Sequence, residues 1–256
     1  MMKIVIKIGS SLVTSEAEIV DKEFLKKISV QVDKIRNLGH EVVLVSSGAI
    51  ACGMKAWNLT NRPKDVEKLQ ALSAVGQIGL INAYQDEFKS LGLFAAQVLL
   101  SHEDFKDTIR SKNIKESIKN IIDLGAIPII NENDSVSTEE IEFGDNDQLS
   151  GNVAKLIRSE LLIILTDQAG VYDKDPTSNE EAELLTKINF SDSDNLEIEL
   201  GDSGKYGRGG MKTKFLAAEN FLEKNNKIYI ANGRTDNILM DILLEKEVGT
   251  LIKLAE

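Results

Sequence analysis

Two clusters of short carboxylate and amide side chains stand in the middle of the chain, Asn131-Glu132-Asn133-Asp134 and Asp145-Asn146-Asp147. Carboxylates only accept hydrogen bonds, whereas primary amides both donate and accept. Such a mixture can hold an ammonium group and a carboxylate together, so a free amino acid is a ligand of fitting chemistry. Asp145 alone would be read as an Asx turn and helix cap. Six Asp or Asn residues in two clusters exceed what capping requires.

A second set of residues suits phosphate. Lys7-Ile8-Gly9-Ser10-Ser11 places a lysine beside a small-residue turn whose backbone N–H groups can meet an anion. A strand-edge lysine is an equally good reading of Lys7 by itself. Ser46-Ser47-Gly48-Ala49-Ile50 is a second small-residue turn, suited to a phosphate or carboxylate at the start of a helix. It would also serve as an ordinary cap. A third segment, from Gly204 through Arg208, Gly209, Gly210, Met211, Lys212, Thr213 and Lys214, interleaves glycines with cations before a helix and forms an anion cradle. It is no P-loop, since Gly204-Lys205 is followed by Tyr206 and position 199 is Glu, and the chain has no GxGxxG.

These sites need elements to position them. Lys3 to Ile8 alternates and is rich in Ile and Val, which predicts a strand ending at the first turn. The spacing of Phe24, Leu25, Ile28, Val32, Ile35 and Leu38 predicts a helix over 23–38, closed by Gly39. Glu41 to Val45 is the next strand and delivers the Ser46 turn. Residues 65–91 read as a long helix, whole or broken, in which Gly76 and Gly79 allow close approach, 93–99 as a strand and 107–124 as a helix. Ile127 to Ile130 is a buried strand with the first Asx cluster at its C-terminal end, where open α/β sheets bind ligands. Gly144 then turns the chain, and Asp145 to Asp147 precede a helix over 148–158. Residues 160–165 form a strand followed by Thr166-Asp167. An acid-rich stretch, 178–204, reads as a solvated excursion or lid, because its spacing matches no calcium loop. A helix over 215–223, strands at 227–231 and 250–254, and a short helix at 237–244 complete the chain. Strand–helix units closed by Gly39, Gly92 and Gly125 predict one continuous α/β domain with a mostly parallel sheet covered on both faces.

Composition excludes several classes. A net charge of −11 opposes nucleic-acid binding, which depends on neutralising phosphates with Lys and Arg. One cysteine, Cys52, allows no intrachain disulfide or cysteine zinc site, and His40 and His102 are far apart in sequence. No apolar run approaches the roughly 20 residues of a membrane span, and the N-terminus reads as a strand rather than a signal peptide. A cytoplasmic protein is expected.

An amino-acid pocket beside phosphate turns suggests phosphoryl transfer. A carboxylate acceptor would be ionised at neutral pH, since Glu titrates near 4.3, and so needs no general base. Catalysis would rest on in-line positioning and on cations that stabilise the spread charge, with Lys7 and Lys214 as candidates and Mg²⁺ carried mainly by the nucleotide.

The segments Lys7-Ile8-Gly9-Ser10, Val45 to Ile50, Asn131 to Asp134, Phe143 to Asp147, Thr166-Asp167 and Gly209 to Lys214 together resemble the glutamate 5-kinase branch of the amino acid kinase family, across essentially the whole chain and in the family's order. The resemblance implies a three-layer αβα sandwich with a mainly parallel central sheet of about eight strands. It further implies ATP-dependent phosphorylation of L-glutamate on its γ-carboxylate, the first step of proline biosynthesis, with feedback inhibition by proline. Ser47, Gly48, Ala49, Asn131, Asp134, Asp145 and Asn146 would bind glutamate. Lys7, Gly9, Ser10, Thr166, Asp167 and the Arg208 to Lys214 loop would bind ATP, with Lys7 and Lys214 on phosphates and Asp147 orienting both lysines. The N-terminal half would carry mainly the glutamate site and the C-terminal half mainly the ATP site, in a homo-oligomer, dimer or tetramer.

Two departures stand out. Many members carry a C-terminal domain of the RNA-modification-enzyme type, which is not expected in this sequence, and Arg208 and Lys212 stand where the family has small residues. The competing readings are a kinase of the same fold acting on a carbamate, an acetylated amino acid or a nucleoside monophosphate, and a non-catalytic amino-acid sensor. Asp134 and Asp145 oppose a nucleotide acceptor. Retention of both lysines with the glycine loop opposes a sensor.

Overall fold

The computed structural model describes residues 1–15, 18–137, 146–190 and 210–255. Among these, six short apolar segments form parallel strands: β1 (Lys3–Ile8), β2 (Glu41–Ser46), β3 (Ala95–Leu100), β4 (Ile127–Glu132), β5 (Leu161–Thr166) and β9 (Lys227–Asn232). They lie in the order β3-β4-β2-β1-β5-β9, and β10 (Thr250–Leu254) and β8 (Lys187–Phe190) extend the sheet to eight strands. β10 runs antiparallel to β9 and parallel to β8. A separate ribbon pairs β6 (Val171–Tyr172) with β7 (Leu184–Leu185).

Helices cover both faces because the strands are apolar on both. Along β1, Ile4, Ile6 and Ile8 point into one core and Val5 into the other, the period-2 alternation of a strand. The first core is filled by α1 (Ser10–Val13), α2 (Lys22–Asn37), α3 (Ala49–Ala56), α4 (Val66–Ser90) and α9 (Ile238–Leu243). The second is filled by α6 (Thr108–Asp123), α7 (Asn146–Ile157) and α8 (Met211–Phe221), with the short α5 (His102–Lys106) beside it. The result is the expected three-layer αβα sandwich with a mainly parallel sheet.

The chain order β4, α7, β5 carries the connection from one side of β1 to the other. A doubly wound sheet opens its binding crevice at the strand C-termini of such a reversal. Lys7, on the same face of β1 as Val5, therefore points toward α7.

Several local expectations shift. α4 is continuous rather than broken. A Cβ at Gly76 would stand 1.9 Å from the Ala49 carbonyl oxygen, so that glycine does permit α3 and α4 to touch, whereas a Cβ at Gly79 would meet nothing within 4 Å. The acid-rich stretch holds β7 and half of an edge-strand pair within its described part, up to 190. Its period-2 burial at Ile188 and Phe190 is short and diluted by neighbouring charge. Asn131 and Glu132 lie inside β4, not beyond it, and Asn146 and Asp147 form the first turn of α7 rather than preceding it. Thr213 and Lys214 likewise lie inside α8.

Candidate active site

Three adjacent strand ends build the floor of the site. The Gly9 N–H donates to the Leu165 carbonyl oxygen at 3.1 Å, and the Ser47 N–H donates to the Ile8 carbonyl oxygen at 3.1 Å. The turns after β2, β1 and β5 are therefore side by side, bringing Ser47, Gly9, Ser10 and Thr166 to one edge. Gly48 turns the chain into α3 with φ of 112°, a left-handed conformation that a side chain would strain. Asp167 is exposed at this edge, accepts at Oδ1 from Thr166 Oγ1 at 3.1 Å, and its carbonyl oxygen accepts from Asn232 Nδ2.

Above the floor is an ion triad. Asp147 is fully buried, with Oδ1 2.6 Å from Lys7 Nζ and Oδ2 2.9 Å from Lys214 Nζ. Thr213 Oγ1 also donates to Oδ2, at 3.0 Å. Lys7 is 4% exposed and Lys214 7%. One carboxylate thus holds two ammonium groups separated by most of the chain, and the triad carries one net positive charge. Burying isolated charges is costly, so the shared carboxylate is what allows two lysines to stand together out of water. The positive ends of α7 and α8 lie at the same place, adding donors suited to an anion.

Beside the triad runs an amide chain. Asn146 donates both its amide hydrogens, to the Ser46 carbonyl oxygen at 2.8 Å and to Asn131 Oδ1 at 2.7 Å. Among the described residues no donor meets its own Oδ1. Asn131 is buried and donates to Gln77 Oε1 at 2.8 Å. Asn131, expected as a ligand contact, accepts at Oδ1 from both Asn146 and the Glu132 N–H and so helps to orient Asn146.

Asp134 lies past the end of β4 and accepts from Ser73 Oγ at 2.5 Å. Burial pushes its carboxyl above the usual aspartate range, partly offset by the Ser73 bond and the Arg62 charge. A cavity of about 270 Å³ opens here, lined by Ser73, Gln77, Gln97, Glu132, Asn133 and Asp134 together with apolar residues of α4.

Of the expected residues, the structure brings Lys7, Asp147, Thr213 and Lys214 into direct contact. It brings Asn131 to Asn146, and Gly9 and Ser10 alongside Ser47 and Thr166. Gly210 caps α8, Met211 opens it and Lys212 is exposed. Asp145, Arg208 and Gly209 lie outside the described residues. Ser73, Gln77 and Tyr84 escaped the sequence reading, while Ser46 was expected only as part of its small-residue turn. Ser46 Oγ and the buried Tyr84 hydroxyl are 2.9 Å apart, and burial raises the Tyr84 pKa well above the tyrosine range. The available signal was polar residues at helical spacing on the buried face of α4.

The profile of the amino acid kinase family matches residues 2–232. The glutamate 5-kinase of Acinetobacter baylyi is 44% identical over 249 residues, 97% of this chain and 66% of the relative. That of Hydrogenovibrio crunogenus is 40% identical over 248 residues, with the same coverage. The chain thus spans just under two thirds of the length of these relatives. Among solved structures, UMP kinase from Bacillus anthracis superposes with a TM-score of 0.67 at 16% identity, covering 98% of this chain and 96% of that one. Isopentenyl phosphate kinase from T. acidophilum gives 0.65 at 18% identity, covering 99% and 100%. At such identity the likeness is one of fold.

Proposed function

The chain belongs to the amino acid kinase family, and on that premise we propose that it transfers the γ-phosphoryl group of ATP to the side-chain carboxylate of L-glutamate. The observation that carries this reading is the buried Lys7–Asp147–Lys214 triad beside the oriented amide of Asn146.

Asn146 Oδ1 and the Asp134 carboxylate are acceptors suited to the glutamate ammonium group. The Ser47-Gly48-Ala49 turn, at the start of α3, suits its α-carboxylate. The ionised γ-carboxylate attacks the γ-phosphorus, the bond from that phosphorus to the bridging oxygen of ADP breaks, and ADP departs as an anion. No proton moves, which is consistent with a site built from lysines rather than from a general base. Lys7 and Lys214, held apart by Asp147, stabilise the charge spread over the transferred group and the departing oxygen. Asp147 and Asn131 are positioning residues, the first for the lysines and the second for Asn146. Gly9, Ser10, Thr166, Asp167 and the start of α8 from Gly210 to Thr213 line the nucleotide side.

The net positive triad and the converging helix starts fit a polyphosphate. Both Asp147 oxygens face ammonium groups, a donor set that fits Mg²⁺ carried by the nucleotide phosphates rather than by this carboxylate. When bound, Mg²⁺ would neutralise the phosphate oxygens that the lysines do not reach. The acyl phosphate product would enter proline synthesis. Proline shares the backbone nitrogen and carboxylate of glutamate and would compete at Asp134 and Asn146. The described chain works as one kinase domain, acceptor side mainly N-terminal and nucleotide side mainly C-terminal.

The test is glutamate-dependent hydroxamate formation with Mg-ATP and hydroxylamine, in the native chain and in Lys214→Ala. Hydroxamate that is lost in the variant supports the reading. ATP turnover without glutamate dependence, or glutamate binding without hydroxamate, rejects it.

A further inference from the structure

The two amide hydrogens of Asn146 lead into two polar chains, and both chains are anchored on α4. One hydrogen goes to Asn131 Oδ1, and Asn131 donates in turn to Gln77 Oε1. The other goes to the Ser46 carbonyl oxygen, and Ser46 Oγ lies 2.9 Å from the Tyr84 hydroxyl. Gln77 and Tyr84 are seven residues apart, about two turns at 3.6 residues per turn, and both are buried on the inward side of the helix.

The direction of the second chain follows from its hydrogens. A hydroxyl carries one. Ser46 Oγ gives its own to the Ser47 carbonyl oxygen at 3.0 Å, so the Tyr84 hydroxyl donates to Ser46. Burial raises the Tyr84 pKa, which keeps that proton in place at neutral pH. The peptide joining Ser46 to Ser47 is then held at both polar atoms: its carbonyl oxygen accepts from Asn146, and its N–H donates to the Ile8 carbonyl oxygen, next to Lys7. Packing does not account for the hydroxyl. A phenylalanine would fill the same place beside Phe88, whose ring stacks on that of Tyr84 with centroids 6.5 Å apart, and would bury no polar atom.

We propose that the Tyr84 hydroxyl is a positioning group for the acceptor: through Ser46 it fixes the one peptide on which both the Asn146 amide and the Ser47-Gly48-Ala49 turn depend. This role rests on the reading of those groups as the glutamate site. Asn146 faces the ammonium group and the turn faces the α-carboxylate, so the peptide between them sets the spacing at which both ends of the amino acid are held. Loosening it should weaken glutamate binding and leave the Lys7–Asp147–Lys214 triad in place, since none of the triad's bonds passes through Ser46 or Tyr84.

Steady-state kinetics by hydroxamate formation and ADP release tests this in the native chain, Tyr84→Phe, Ser46→Ala and the double variant, with thermal unfolding of each. Tyr84→Phe should raise KM for glutamate roughly fivefold to tenfold, the effect of losing one buried hydrogen bond. Both kcat and KM for ATP should stay within about twofold of native. In the Ser46→Ala background, Tyr84→Phe should add nothing to KM for glutamate and should raise the melting temperature, because the hydroxyl it removes is by then buried without its acceptor. An unchanged KM for glutamate in Tyr84→Phe, with a lowered melting temperature, would overturn the proposal and leave a bond that only ties α4 to β2. Equal changes in kcat and in both KM values, or additive effects in the double variant, would also overturn it. A native chain that forms no glutamate-dependent hydroxamate would reject the acceptor assignment itself, and this role with it.

Discussion

Gly151 on α7 and Ala217 on α8 pack so closely that a Cβ on Gly151 would lie 3.0 Å from the Ala217 carbonyl oxygen. Asp147 is one turn before Gly151 and Lys214 one turn before Ala217. The crossing of the two helices therefore sets the separation of the Asp147 carboxylate and the Lys214 ammonium. Gly151→Ala should push α8 outward at a cost of about 1–3 kcal/mol. It should lower kcat for the proposed transfer by roughly 10- to 100-fold, with a smaller change in KM for glutamate. Steady-state kinetics with thermal unfolding checks this; an unchanged kcat would show that the crossing does not set the lysine.

Removing the shared carboxylate should be worse than removing either lysine. Asp147→Ala leaves two buried ammonium groups without their common partner, and the expected loss is about 3–5 kcal/mol with activity abolished. In Lys214→Ala, Asp147 still holds Lys7 at 2.6 Å, so the loss of stability should be smaller. Urea unfolding compares them, and a Lys214→Ala protein less stable than Asp147→Ala would mean that the carboxylate does not organise the triad.

The burial of Asp134 should lower stability at neutral pH. Its carboxyl is raised by burial, so the native state binds a proton more tightly than the unfolded chain does. Stability from this group is full below the ordinary aspartate value near 3.9 and is lost as pH rises through the elevated native value. Asp134→Asn should therefore raise the melting temperature at neutral pH, with the advantage vanishing below about pH 4, while KM for glutamate rises. A variant that is less stable than native at pH 7 would contradict the sign.

Cys52 should report unfolding. It is fully buried, and desolvation, only partly countered by Lys55, pushes its thiol pKa up to about 11. A thiolate is the reactive form, so labelling by a disulfide reagent should be negligible in the folded protein and rapid in denaturant. Labelling at the same rate in both would show that the α3 region opens without global unfolding.

Much of the fold was legible because its strands are short, apolar and bounded by glycine. Gly39, Gly92 and Gly125 all adopt positive φ where the spacing predicted breaks. The strands of the acid-rich stretch were hidden because β7 has only two residues and β8 alternates exposed with buried positions among charges. Element boundaries near the site failed for one physical reason. Asn131, Asn146, Asp147 and Lys214 are polar residues whose partners lie far along the chain, so they sit inside strands and helices that local polarity would end early.

The sequence alone determined the alternation of strands and helices, the two Asx clusters and the phosphate-type turns, since each depends on neighbours within a few residues. Which atoms meet was decided only by the tertiary structure. Lys7 reaches Asp147 because β1 lies beside the crossover to β5, and Lys214 reaches it because a glycine lets α7 and α8 touch. The two ammonium groups can be buried only once that carboxylate stands between them, and nothing local in the chain carries that contact.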